Sequence, residues 1–228
     1  MVKKFFILIV ICLMSLSLMS LSANAQQKIS GPWLWMIAPT DANQGGQAST
    51  DIDSLDEASD GDVTEEEVAK KGAKEGDEVG NYEWTLGTLA NDGDINALVV
   101  SKGMDKNADL NDITSYALIV LETKKAQNGV SMGASSDDSI KIWLNGEVVH
   151  KNAVNRGRGG ANTFQDNFKV DLKKGNNLLM VKVSERGGGW GMFIGVGGDY
   201  EINDIDAVLP VEPMNKLTTR WAKIKNNR

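Results

Sequence analysis

Cysteine and histidine are almost missing from this chain, with one of each, Cys12 and His150, among 228 residues. Cys12 lies in an N-terminal apolar run that reads as a cleaved signal, so the mature chain is expected to carry no thiol. That excludes disulfides, a thiolate nucleophile and a thiolate metal ligand. A single imidazole excludes a metal centre built on several histidines. A Ser-His-Asp triad would have to use His150, and the one G-x-S-x-G match, Gly129-Val130-Ser131-Met132-Gly133, falls in a strand signal with no helix after it, so it is no elbow to hold the serine. Phosphate loops are missing as well. Gly157-Arg158-Gly159-Gly160 and Gly187-Gly188-Gly189-Trp190-Gly191 share only their composition with such loops, and neither opens a helix that could hold an anion.

Positive charge is scarce. The chain has 24 Lys and Arg against 31 Asp and Glu. Two of those cations, Lys3 and Lys4, precede the apolar run Phe5 to Leu21, which ends in Ala23-Asn24-Ala25. A basic end, an apolar stretch and an A-x-A pattern predict a secretory signal over residues 1–25. The alternative is an uncleaved membrane anchor, which the length of the run would also suit. Cleavage leaves a formal charge of −9, unfavourable for nucleic acid and anionic lipid. The expected location is secreted: periplasmic, outer-surface or extracellular, with no stable membrane insertion after cleavage.

Helical periodicity is also nearly absent. Strand signals run through Pro32 to Pro39, Tyr82 to Leu86, Ala97 to Val100, Tyr116 to Leu121, Val130 to Ala134, Phe168 to Leu172, Leu178 to Val183 and Trp190 to Val196. Short strands at this spacing predict an all-β fold, an antiparallel β-sandwich of jelly-roll type, over residues 26–204. Within it residues 40–81 read as an acidic loop region with one short helix, Thr64 to Lys71, in which Thr64 caps and Glu65, Glu66 and Glu67 face the helix dipole. Residues 205–228 read as a linker and a basic amphipathic C-terminal segment. There Met214, Leu217, Trp221 and Ile224 share one helical face, a short helix that docks on the sandwich or meets a protein partner.

The stretch Ser135 to His150 carries the most information. Ser135-Ser136-Asp137-Asp138 reads as a loop with adjacent carboxylates, and Asn145-Gly146 between alternating apolar residues is a strong hairpin signal. A two-residue turn places Leu144 opposite Glu147, Trp143 opposite Val148 and Lys141 opposite His150. Ile140, Ile142 and Leu144 then share one face, and Trp143 shares the other with Lys141 and His150. Trp143 on that face is either an exposed ring for stacking on a sugar or a core residue beneath another layer. The ligand-binding candidates are Trp143, His150, Arg156, Arg158 and Trp190. The metal candidates are Asp137, Asp138, Asn152 and Asn155, which could gather the oxygens calcium needs; the alternative for the two aspartates is turn capping. Asp56, Asp60, Asp62 and Glu67 trace a calcium-loop spacing only in part, with Ala58 where an oxygen is required.

Ser136 to His150 closely resembles the SDDGVKVWLNGKLVH signature of jelly-roll domains appended to secreted bacterial enzymes and surface proteins. The likeness continues through Asn155-Arg156-Gly157, Phe168 to Leu172, Lys174 to Leu179 and Gly187 to Gly191, and begins near Gly31-Pro32-Trp33-Leu34 and Gly76-Asp77-Glu78. Such domains are similar to galactose-binding-like and protective-antigen-like carbohydrate-binding modules. The resemblance implies that Asp137 and Asp138 bind a calcium ion that holds sugar hydroxyls. The sequence departs from the signature at Ser139, where glycine is usual, and no catalytic domain is expected among these residues. The expected function is a secreted, non-catalytic module that binds a glycan or another extracellular polymer with calcium. The alternatives are a structural or interaction protein of the cell envelope, and a glycan-cleaving enzyme using paired carboxylates.

Overall fold

The computed structural model describes residues 26–106, 110–161 and 163–205. The expected signal and most of the C-terminal segment, with Met214, Leu217, Trp221 and Ile224, lie outside the described residues. Thirteen strands are described, β1 (Gln27–Lys28), β2 (Trp33–Pro39), β3 (Glu78–Val79), β4 (Tyr82–Glu83), β5 (Thr85–Gly87), β6 (Ile113–Thr123), β7 (Gln127–Asp137), β8 (Ser139–Leu144), β9 (Glu147–Asn152), β10 (Asp166–Leu172), β11 (Gly175–Glu185), β12 (Gly191–Val196) and β13 (Glu201–Asn203). The helices are α1 (Ser54–Ala58), α2 (Glu65–Lys71) and α3 (Ile95–Ser101). Among the described residues no helix is long and apolar enough to cross a membrane.

The strands form the expected antiparallel β-sandwich. One sheet has the order β1-β12-β7-β10, and the larger has the order β5-β2-β6-β11-β8-β9, with β13 also paired to β6. Alternation along the strands sorts side chains into two cores. Trp33, Trp35 and Ile37 of β2, Ile140, Ile142 and Leu144 of β8, and Leu179, Val181 and Val183 of β11 pack with Met132, Ile194 and Val196 of the smaller sheet. The opposite parity of the larger sheet, with Leu34, Met36, Tyr116, Leu118, Trp143 and Met180, forms a second core with Leu55, Val63, Val68, Ala69 and Trp84. The acidic region is mostly loop, as its sequence predicts, with α1 as a second short helix, and it forms a third layer over the outer face of the larger sheet. Its few apolar residues are the ones that face inward.

Local chemistry explains that layer. The Thr64 side chain caps α2 by accepting from the Glu67 N–H at 3.2 Å, as its sequence predicts. Asp53 joins the two helices, since one oxygen accepts from the Asp56 N–H and the other from the Glu65 N–H. Beneath them a charged knot is sealed against the sheet. Glu65 receives Lys182 Nζ at 2.6 Å, the Tyr116 hydroxyl at 2.8 Å and Lys141 Nζ at 3.1 Å.

Two local expectations are corrected. Ala97 to Val100 belong to helix α3, not to a strand. The Asp94 side chain accepts from the Ala97 N–H at 3.0 Å, and Ile95, Leu98 and Val99 bury one helical face. A four-residue apolar run fits either period, and the cap decides. In the hairpin, Leu144 does pair with Glu147 and Trp143 with Val148, but Val149 is an extra residue and His150 pairs with Ile142 instead of Lys141. This β-bulge flips His150 to the inter-sheet side.

Candidate functional site

The two aspartates stand where the sheets meet. Ser135, Ser136 and Asp137 extend β7 in the smaller sheet rather than forming a loop, and β8 of the larger sheet begins at Ser139. Asp138 alone separates the two strands, and the Asp137–Asp138 peptide bond is cis. Ser139, in place of the usual glycine, donates its buried hydroxyl to the Gly46 carbonyl at 2.9 Å. The departure from the signature therefore ties this corner to the turn at residues 41–47.

Glycines let the chain pass close to the carboxylates, where a side chain would collide. A Cβ on Gly46 would lie 2.4 Å from Asn155 Oδ1 and 3.1 Å from Asp138 Oδ2. One on Gly189 would lie 3.0 Å from Asp137 Oδ2. Asp138 is buried, and its Oδ2 accepts the Arg186 N–H at 3.0 Å. Asp137 is partly exposed, with Arg158 Nη1 at 3.7 Å. Arg158 is steadied by its Nε–H, which donates to the Asp92 carbonyl at 2.8 Å. Burial pushes the Asp137 carboxyl up, and the charge of Asp138 adds to this against the opposing pull of Arg158.

A third carboxylate lies under this corner. Glu185 continues the inward parity of Val181 and Val183 and is fully buried. Neither of its oxygens makes a well-formed hydrogen bond, although the Gly187 N–H approaches and favours the charged form. Burial, reinforced by Asp138 and Asp137, pushes Glu185 up to about 8. Nearby Asp112 is already occupied, accepting the N–H groups of Asn43 and Gly45. Among the described residues no group of three or more His, Cys, Asp and Glu is placed to hold a metal by itself.

The remaining candidates separate into a second cluster and the core. Asp166, which sequence reasoning did not single out, is the hub of that cluster. It accepts from both Arg156 Nη1, at 3.0 Å, and Arg156 Nη2, from Asn152 Nδ2 at 3.1 Å, and pairs with His150 Nε2 at 3.0 Å. Burial alone would raise Asp166, but the hydrogen bonds of Arg156, His150 and Asn152 outweigh it and hold the carboxyl below the usual range. His150 also stacks on Phe168, with centroids 4.5 Å apart. Asn152 therefore serves Asp166 and not the aspartate corner, which removes it from the metal candidates. Trp143 is only 4% exposed, under the third layer, with Lys141 Nζ over its ring at 4.7 Å. Trp190 is fully buried and donates its indole N–H to the Val183 carbonyl. Neither tryptophan offers a face for stacking on a sugar. Of the nine candidates, Asp137, Asp138, Asn155 and Arg158 gather at the corner. Glu185 carried a legible signal, a charge at an inward position ending the run Leu179, Val181, Val183.

No family model matches this chain, and no curated protein matches it. Solved structures similar to it include the PA14 domain of the antifreeze protein MpAFP, 12% identical with a TM-score of 0.46, over 81% of this chain and 92% of that one. A GH31 alpha-xylosidase from Xanthomonas citri is 11% identical with a TM-score of 0.33, over 53% of this chain and 14% of that one. A beta-glucosidase from Kluyveromyces marxianus, in complex with glucose, is 22% identical with a TM-score of 0.29, over 41% and 11%. The chain thus spans about an eighth of the length of either glycosidase.

Proposed function

We propose that this chain is an exported, non-catalytic module that binds a carbohydrate or another surface polymer through a calcium ion at the Asp137–Asp138 corner. The observation that carries this reading is the convergence of Asp137, Asp138 and the Asn155 amide on one corner, where Asn155 Oδ1 and Asp138 Oδ2 both pack closely against Gly46. Calcium is a hard cation that takes about six to eight oxygen ligands. The corner offers only oxygen donors, and its negative charge exceeds the single guanidinium of Arg158 beside it. Asp137, Asp138 and the Asn155 amide would hold the ion. When bound, it would supply open positions for hydroxyl pairs of a ligand.

Such recognition works without aromatic stacking, which fits the burial of Trp143 and Trp190. That same burial favours a second reading, in which the sandwich is a structural or interaction scaffold of the cell envelope. A glycan-array screen with calcium and with chelator separates them, using wild type and Asp138→Asn. Calcium-dependent retention that the substitution abolishes is expected. Retention of no glycan in either condition would favour the scaffold.

A further inference from the structure

A carboxylate sealed in a protein interior ordinarily has a cation or several donors beside it, because burying an uncompensated charge is costly. The buried Glu65 follows that rule, with Lys182, Lys141 and Tyr116 around it. Glu185 does not. It is fully buried, no well-formed hydrogen bond reaches either oxygen, and the charges around it are those of Asp138, Asp137 and Asp112. The largest influences on it come from burial and from those carboxylates, with no Lys or Arg among them. The Arg158 guanidinium is directed at Asp137, and Arg186 offers its backbone N–H to Asp138. A neutral side chain at this inward position would continue the apolar run of Leu179, Val181 and Val183, so packing alone does not call for an acid.

We infer that Glu185 is the buried counter-charge of the cation site at the Asp137–Asp138 corner, acting on the ion through its charge from inside the sandwich and not as a direct ligand. The inference rests on the calcium reading above and adds a residue to it. The ion would face solvent beyond Asp137 and face Glu185 through the seam between the sheets. Its binding would then relieve the repulsion among the three carboxylates. The loops that meet there, at residues 41–47, 155–158 and 186–189, are joined to the corner through Gly46, Asn155 and the Arg186 N–H. Losing a supporting residue of this kind typically weakens metal binding by about 10- to 100-fold.

The test is calorimetric titration of the full chain with calcium chloride at pH 8.5, together with thermal melts in chelator, for wild type, Glu185→Gln, Glu185→Asp and Asp138→Asn. Glu185→Gln is expected to weaken calcium binding about tenfold or more while raising the melting temperature in chelator. Glu185→Asp, which keeps the charge, is expected to retain most of the affinity. Opposite signs on affinity and stability are the signature, because a residue that only packs would lose both or neither. If Asp138→Asn abolishes binding but Glu185→Gln leaves it unchanged, the calcium reading stands and the role of Glu185 is overturned. If Glu185→Gln lowers both affinity and apo stability, Glu185 is merely structural and the inference is likewise overturned. Wild-type protein that takes up no calcium overturns both.

Discussion

Lys182 Nζ lies 2.6 Å from Glu65 Oε1, with the two side chains 1% and 7% exposed. The pair joins the third layer to the centre of the larger sheet, since Lys182 sits in β11 and Glu65 opens α2. Lys182 also donates to the Ile52 carbonyl, tying a second point of the layer. Burial pulls the Lys182 ammonium below its ordinary range, and Glu65 opposes that shift.

Removing one partner from such a pair strands the other. Lys182→Met is expected to lower stability by about 3 kcal/mol, the lower end of what breaking a buried ion pair costs. Lys141 and Tyr116 would still serve Glu65, which keeps the loss from being larger. Adding Glu65→Gln should cost less than the two single losses combined, because the residues share one network. Urea unfolding of the three variants measures this. A Lys182→Met protein as stable as wild type would refute the layer-clamping role.

Asp166 gathers Arg156, His150 and Asn152, and its substitution should release them together. Asp166→Ala is expected to cost about 2–3 kcal/mol, as hydrogen bonds to a charged group do. It should also speed proteolysis between Asn152 and Gln165. Because its carboxyl is held below the ordinary range, the stabilisation is fully present above that range and fades as pH falls through the depressed value. Wild type and variant should therefore differ in denaturant melts at pH 7 and converge in strong acid. A constant difference across that range would contradict the linkage.

Glu185 has the opposite sign. Its folded value near 8 lies above the ordinary 4.5, so its contribution is complete below about 4.5 and is lost as pH rises through about 8. In chelator, Glu185→Gln should gain on wild type progressively from pH 5 to pH 9, by something on the order of 4 kcal/mol. Groups common to both proteins cancel in the difference. A difference that stays flat over this range would show that Glu185 is not the buried, raised carboxyl described.

Much of this architecture was legible from residue pattern alone. Alternation in Phe168 to Leu172 and the Asn145-Gly146 turn located strands and hairpin, because both depend on neighbours one or two residues away. Thr64 was legible as a cap for the same reason. The side of the sheet on which His150 sits was not, since one extra residue, Val149, reverses everything after it and nothing nearby in sequence announces a bulge. Trp143 stayed ambiguous because its burial depends on Leu55, Val68 and Trp84, brought over it from distant parts of the chain. Asp137, Asp138 and Asn155 were grouped by residue type and proximity in sequence, and the fold brings them to one corner, where Arg158, read as part of a separate ligand-binding loop, faces Asp137. Asn152 was assigned to the wrong partner because Asp166, its actual acceptor, looked like any other acidic residue.

With Asp138 as the only residue between β7 and β8, the two sheets share a continuous length of chain at this corner. A polymer anchored there and pulled would not peel one sheet from the other through a slack connection. The load would pass at once into β7 and its partners β12 and β10 on one side, and into β8 and its partners β11 and β9 on the other. The corner is thus a mechanical junction, a direct path for tension from one sheet to the other.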